Sequence, residues 1–251
     1  MSSSPKLSLI TTLYNCETYV AESLQSAIDQ TYTDFEWVVL NDGSTDNTWD
    51  IVNDMLGKDE RVVLVDSKEN RKIPTRRNEA IALARGEYVA IVDGDDINLP
   101  TRFEKEVRYL DAHSDVWCVG GHAFLMDQDG NQIEIMNYPP LLHQDIIQGL
   151  LAQCRNPMID PTTMFRKKDF EELGGYSLNR EIYTVPDMDL WARAIVSGRK
   201  MANLPEIVLR YRKNMNGMTQ KHNTEMIHAH MKVWRKFAKD FRRVTGGAIL
   251  K

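Results

Sequence analysis

Three cysteines in 251 residues, Cys16, Cys118 and Cys154, are too few and too widely spaced for a disulfide framework or a zinc site. They fit a reducing cytoplasm. Long apolar runs are missing too, and none approaches the roughly 20 residues that cross a bilayer. The first run, Leu7 to Leu13, is too short and too polar-flanked for a secretory leader and reads as a strand. Positive charge is scarce: 31 Lys and Arg against 36 Asp and Glu leave a net −5, without the basic footprint of a nucleic-acid binder. There is no internal repeat and no low-complexity linker. No glycine-rich phosphate loop follows the first strand, where Tyr14-Asn15-Cys16-Glu17 stands, and this argues against a nucleotidyltransferase.

What is present alternates. Leu7–Leu13, Phe35–Leu40, Arg61–Val65 and Tyr88–Val92 read as strands, the last buried on both faces. Between them, helical spacing runs over Glu17–Asp29, from about Asp46 (Trp49, Val52, Leu56), and over Pro74–Ala84 with Gly86 as its C-terminal stop. Strands alternating with helices predict an α/β fold with a mostly parallel sheet flanked by helices. Further on, Val116–Met126 and Ile133–Met136 read as strands around a turn, Leu141–Leu151 as a helix, Thr162–Phe165 as a strand and Asp187–Ser197 as a helix. We expect one domain over residues 1–215, with a nucleotide half to about 115 and an acceptor half from 116. A helical extension follows over 216–251.

Ligands of an open parallel sheet sit at the carboxyl ends of its strands. Three polar clusters fall there: Tyr14-Asn15-Cys16-Glu17, Asn41-Asp42-Gly43-Ser44-Thr45-Asp46 and Asp93-Gly94-Asp95-Asp96. Asp93-Gly94-Asp95 suits a hard cation, Mn²⁺ or Mg²⁺, which takes one or two carboxylates plus diphosphate oxygens. Gly94 lets the backbone turn and a ligand approach. Asp96 or Asn98 reads as the cap of the helix after Pro100. Asp42 is an acceptor suited to the ring N–H of uracil or guanine, or else a turn residue ahead of a Ser44/Thr45 helix cap. Arg76 and Arg77 open a helix and carry a fork that fits diphosphate oxygens; for one of them a solvated charge pair is the alternative.

These segments, with Gln30-Thr31-Tyr32, Arg77-Asn78, Ala84-Arg85-Gly86-Glu87-Tyr88, Leu173-Gly174-Gly175-Tyr176 and Asp187-Met188-Asp189-Leu190-Trp191-Ala192-Arg193, resemble family 2 glycosyltransferases of the GT-A (Rossmann-like) fold over about residues 6–212. The resemblance implies an inverting enzyme that moves a sugar from a nucleotide-diphosphate sugar to a glycan or lipid-linked acceptor. It implies Thr12, Tyr14, Glu17 and Asp42 around the nucleoside, Arg77 at the diphosphate, and Asp93 near ribose and metal. Asp95 would be the metal ligand and Asp187 the general base. An inactive scaffold is the alternative reading; Asp42, Asp93, Asp95 and Asp187 together favour turnover. The chain departs from the family's pattern at Asn41, at Lys72-Ile73 where a glycine is common, at Pro186, and at Asn214 where a histidine is common. His222 is a further metal-ligand candidate.

Ile227, Met231, Trp234, Phe237 and Phe241 form an apolar stripe among Lys232, Arg235, Lys236, Lys239, Arg242 and Arg243. This basic amphipathic helix, within 225–244, packs on the domain or a second subunit, or lies on an anionic membrane surface. A cytoplasmic enzyme, with or without peripheral membrane contact, is the expectation.

Overall fold

The computed structural model describes residues 4–153, 156–214 and 223–246. Cys154 and His222 lie outside the described residues. The first half is built as the alternation predicts. Strands β1 (Leu7–Leu13), β2 (Phe35–Asp42), β3 (Val62–Ser67) and β4 (Tyr88–Ile91) are separated by α1 (Val20–Ile28), α2 (Thr48–Leu56) and α3 (Ile73–Leu83). The chain continues through β5 (Ile97–Asn98), α4 (Arg102–Ala112), β6 (Val116–Met126), β7 (Gln132–Met136), α5 (His143–Gln153), a 3₁₀ turn (Asp160–Thr162) and β8 (Met164–Arg166). It ends with α6 (Lys167–Glu172), a 3₁₀ turn (Arg180–Ile182), α7 (Pro186–Val196), β9 (Lys200–Arg212) and α8 (Asn223–Val244).

One central sheet holds all nine described strands, in the order β3-β2-β1-β4-β8-β6-β9-β5, with β7 added on β6. The expected mostly parallel sheet is found in its first half, whereas the second half has one parallel pair, β6 with β9, among antiparallel ones. The β3-β2-β1-β4 block is parallel, whereas β8 runs antiparallel to both β4 and β6, and β5 and β7 are also antiparallel to their partners. The sheet as a whole is therefore mixed. A parallel neighbour needs a long crossover, and the second half supplies a hairpin and short insertions instead. β6 and β9 are parallel but lose register at three places, and such bulges bend and twist a sheet.

Side chains alternate between two cores. Ile10, Val38, Leu40, Val89 and Ile91 face α3, α5, α7 and α8, while Leu9, Trp37, Val39, Ala90 and Val92 face α1, α2 and α4. That period of two is what a strand covered on both faces requires. The apolar stripe of α8 packs into the first core, so the helix is an element of the domain. Its buried face is Ala229, Val233, Phe237 and Phe241, with Trp234 donating to the Leu151 carbonyl at 3.1 Å. The expected stripe holds from Trp234 onward but is out of phase earlier, and Ile227 is exposed.

Gly86 corrects another expectation. The residue closing α3 is the extended Ala84, and Gly86 is not left-handed. Its role is close approach: a Cβ there would lie 2.6–2.8 Å from the Ser8 hydroxyl, the Ser8 nitrogen and the Leu7 carbonyl carbon of β1. Gly174, by contrast, has φ 78° and open space around it. Gly86→Ala should destabilise the protein by about 2–4 kcal/mol through overpacking and strand separation. Gly174→Ala should cost only about 1–2 kcal/mol of left-handed strain. Urea unfolding of the two variants checks the ranking.

Candidate active site

The three polar clusters meet at the carboxyl ends of β1, β2 and β4, tied to one another by hydrogen bonds. Asn15 joins the first two: its N–H donates to the Ser44 hydroxyl at 3.1 Å, and its side-chain oxygen accepts from Thr45 N at 2.8 Å. The first turn of α2 is satisfied by carboxylates. Glu17 accepts from Asn47 N at 2.9 Å and Asp46 from Thr48 N at 3.1 Å, in place of the expected Ser44/Thr45 cap. Ser23 on α1 donates to the Asp93 carbonyl at 2.6 Å. Gly94 packs against Leu13 and Cys16, where any Cβ would lie 2.4 Å from the Leu13 side chain. Thr12 is half-buried and Tyr14 is exposed on the same rim.

Asp42 is buried and heavily engaged. Its carboxylate accepts from Arg71 N at 2.7 Å, Lys72 N at 3.0 Å and Arg76 Nε at 2.6 Å. Arg76 also reaches Glu79, Ser67 and the Glu69 carbonyl, so it is a buried partner of this corner and not a solvated charge. Presenting two consecutive N–H groups to Asp42 forces Lys72 to φ 71°, ψ 158°, a conformation suited to glycine. Lys72 lies in the Lys72-Ile73 segment where the sequence departs from the resemblance noted above.

The acidic loop after β4 is held from two sides. Asp96 accepts from Arg212 N at 2.8 Å, while its other oxygen is buried without a partner among the described residues. It therefore anchors β9 and does not cap α4, whose N-cap Thr101 makes no side-chain cap bond. Asn98 instead accepts from Arg102. Arg212 donates further to the Asp95 carbonyl and to Gln128 O, both at 2.9 Å, and pairs with Glu22. The Asp95 carboxylate accepts from Asn214 at 3.0 Å. Burial pushes its pKa up, the Asn214 bond opposes this, and the charge of Asp93 adds to the rise.

Among the described residues, no group of three or more His, Cys, Asp and Glu is arranged to hold a metal. A Mg²⁺ or Mn²⁺ ion carried by one or two carboxylates, with diphosphate and water completing its shell, does not need such a group. The desolvated Asp95 lies near Asp93, and the unpartnered Asp96 oxygen is buried in the same loop, so oxygen donors are concentrated there. The residues fit a cation.

Arg77 carries the remaining link. It is 4% exposed, donating to Asp93 Oδ1 at 2.7 Å through one terminal nitrogen and to Asp160 Oδ2 through the other. Burial works against its charge, but Asp160 and Asp93 hold it, and its pKa lies well above the ordinary value. Asp187 sits in the first turn of α7 and accepts from the Asn156 side-chain amide. Asp189 and Arg193 pair at 2.7 Å on the same helix. Asp93 and Asp187 both push the Asp160 pKa up, so acids from both halves of the chain act on one carboxyl. Sequence reasoning missed Asp160 and Asn156 and gave no role to Tyr176, whose buried ring lies 5.7 Å from the Arg77 guanidinium. Asp160 precedes a strand, where the rule of carboxyl-end ligands does not point.

Residues 8–174 match the family model described as Glycosyl transferase family 2. An uncharacterized glycosyltransferase of Haemophilus influenzae is 30% identical over 243 residues, covering 94% of this chain and 74% of that protein. The amylovoran biosynthesis glycosyltransferase AmsE of Erwinia amylovora is 27% identical over 230 residues, covering 91% and 84%. Among solved structures, S. aureus TarS residues 1–349 in complex with UDP-GlcNAc superposes with a TM-score of 0.69 at 18% identity, covering 95% of this chain and 73% of that one. The mannosyltransferase PcManGT of Pyrobaculum calidifontis, in complex with GDP-Man and Mn²⁺, gives 0.64 at 18%, covering 98% and 76%.

Two outcomes follow from the Asp42 corner. Lys72→Gly should raise stability by about 1 kcal/mol by relieving the positive-φ strain. Arg76→Met should cost about 3–5 kcal/mol by leaving Asp42 buried without its cation, and adding Asp42→Asn should recover much of that loss. Denaturant midpoints of the variants test both.

Proposed function

This chain belongs to glycosyl transferase family 2, and from that premise we propose that its acidic rim binds the donor while Asp187 activates the acceptor. The enzyme is an inverting nucleotide-sugar glycosyltransferase of glycan assembly. The observation that carries the residue assignment is the gathering of Asp93 and Asp187, from opposite halves of the chain, around Arg77 and Asp160. In this reading residues 1–115 bind the donor and residues 116–215 receive the acceptor, with α8 of the 216–251 extension packed onto them.

Thr12, Tyr14, Glu17 and Asp42 line the nucleoside site. Asp42 has three of its roughly four acceptor positions occupied, which leaves room for one ring N–H. Uracil and guanine both offer one, and the structural neighbours bind UDP-GlcNAc in one case and GDP-Man in the other. Asp93, Gly94 and Asp95 face the ribose and diphosphate, and Arg77 stands behind Asp93 with its charge directed at the same place. Asp95 and Asp93 would hold Mn²⁺ or Mg²⁺, which when bound neutralises charge growing on the leaving diphosphate.

Asp187 takes the proton of the acceptor hydroxyl as its oxygen attacks the anomeric carbon from the face opposite the leaving diphosphate. The glycosidic C–O bond forms as the bond to the diphosphate oxygen breaks, inverting the centre. Asn156 orients the base by bonding one of its oxygens. The acceptor is a glycan or a lipid-linked glycan, and the work is done in the cytoplasm or at the membrane's inner surface. Any membrane or subunit contact through α8 would use its outward basic face, because the apolar face is occupied by the domain. No described helix is long and apolar enough to cross a membrane.

A thermal-shift panel of nucleoside diphosphates, with and without Mn²⁺, should show metal-dependent stabilisation by one base class through ligand linkage. Stabilisation by none would remove the donor site. Asp187→Asn should lower turnover by about 10²–10⁴-fold while leaving nucleotide binding intact. Retained turnover would remove Asp187 from its role.

A further inference from the structure

Asp160 is a costly residue to place where it stands. Its side chain is 13% exposed, and one oxygen is held by Arg77. The other oxygen is buried with no hydrogen-bond partner among the described residues. Burial pushes the carboxyl up to about 7; Arg77 opposes the rise, while Asp187 and Asp93 add to it. An acid whose pKa is higher folded than unfolded loses stability when it ionises. The penalty is full above pH 7 and fades as pH falls toward the unfolded value near 4. An asparagine could hold the same Arg77 nitrogen through a neutral carbonyl without that penalty. The carboxylate's own burial therefore supplies no reason for it, although the buried Arg77 charge gains from it.

Geometry supplies one. Arg77 is clamped between two anions, with Asp93 from the donor loop on one terminal nitrogen and Asp160 from the acceptor half on the other. Asp160 also lies four residues beyond Asn156, which holds Asp187. One short stretch, Asn156 to Asp160, thus reaches the acids assigned to both substrates.

We propose that Asp160 is a positioning residue for sugar transfer, which acts through the Arg77 guanidinium to set how the Asp93 carboxylate faces the donor. The proposal rests on the donor-site reading of Asp93 and Arg77 given above. With Asp160 charged, the guanidinium is shared and Asp93 keeps part of its charge for the ligand. With Asp160 neutral, Arg77 has Asp93 as its one anionic partner in the clamp. The pair closes, and Asp93 is turned away from the donor. The effect is read on donor binding, because Asp93 is the carboxylate that Arg77 shares with Asp160.

The test compares Asp160→Asn, Arg77→Gln and the double variant with the parent protein. It measures thermal unfolding at pH 8 and pH 5, and the Kd for UDP and GDP in Mn²⁺. Asp160→Asn should unfold at a higher temperature at pH 8, with a smaller gain at pH 5, and yet bind the preferred diphosphate about tenfold more weakly. In the Arg77→Gln background it should weaken binding no further, because the two residues act as one unit. A gain in stability without loss of affinity overturns the proposal. So does a loss of stability with normal affinity in the folded protein, or additive effects in the double variant. If Arg77→Gln binds both diphosphates as the parent does, the donor-site reading of Arg77 fails along with the proposal. If Arg77→Gln weakens binding and Asp160→Asn does not, Asp160 alone loses its role.

Discussion

Carboxylates crowded at the ends of neighbouring strands repel one another, by about 1 to 4 kcal/mol for a pair 4 Å apart, depending on how dry the site is. Buried arginines make this rim possible. Arg76 holds Asp42, Arg77 holds Asp93 and Asp160, and Arg212 binds the Asp95-Asp96 loop through its backbone N–H and guanidinium. Each of the three is buried. Each cation serves a different acidic segment, and each comes from a different part of the chain than the acid it holds. A buried charge left alone costs several kcal/mol, so these pairs set which loop lies against which, whatever they add to net stability.

The same pairs explain why a mixed sheet serves a site first described for parallel ones. The parallel block β3-β2-β1-β4 aligns three carboxyl ends and hence the polar loops that follow them. The antiparallel β8 then brings the turn before it, with Asp160, beside the end of β4. The parallel β9 ends at Arg212, behind the acidic loop. The two halves of the chain are therefore joined at the acidic rim as well as through the core. Asp42 shows the local cost of such a corner. Its carboxylate takes two successive backbone N–H groups, and Lys72 adopts a glycine-like backbone to supply them.

Much of the first half was legible in the sequence, because alternating apolar runs and helical spacing are local signals. β1, β2, β4 and their intervening helices lie within a few residues of where the pattern puts them. The misses have physical causes. β5 is two residues long and β9 follows a helix without a clean alternation, so neither announces itself. Gly86 looked like a helix stop because glycine ends helices; its real constraint is a neighbouring strand 78 positions away, reached by its N–H at the Ser8 hydroxyl. The stripe on α8 is periodic in the sequence, but its phase is set by what α5 and α7 offer to pack against.

By itself, the sequence determined the α/β alternation, the three acidic clusters and their placement at strand ends, and the ordered motifs that mark the family. Those are properties of residue type and short spacing. Only the tertiary structure decided which charges neutralise which. Asp160 is 83 residues from Arg77, and Arg212 is 117 from Asp95. No local pattern records such pairings, because a buried ion pair is selected by the space that remains once strands and helices have packed.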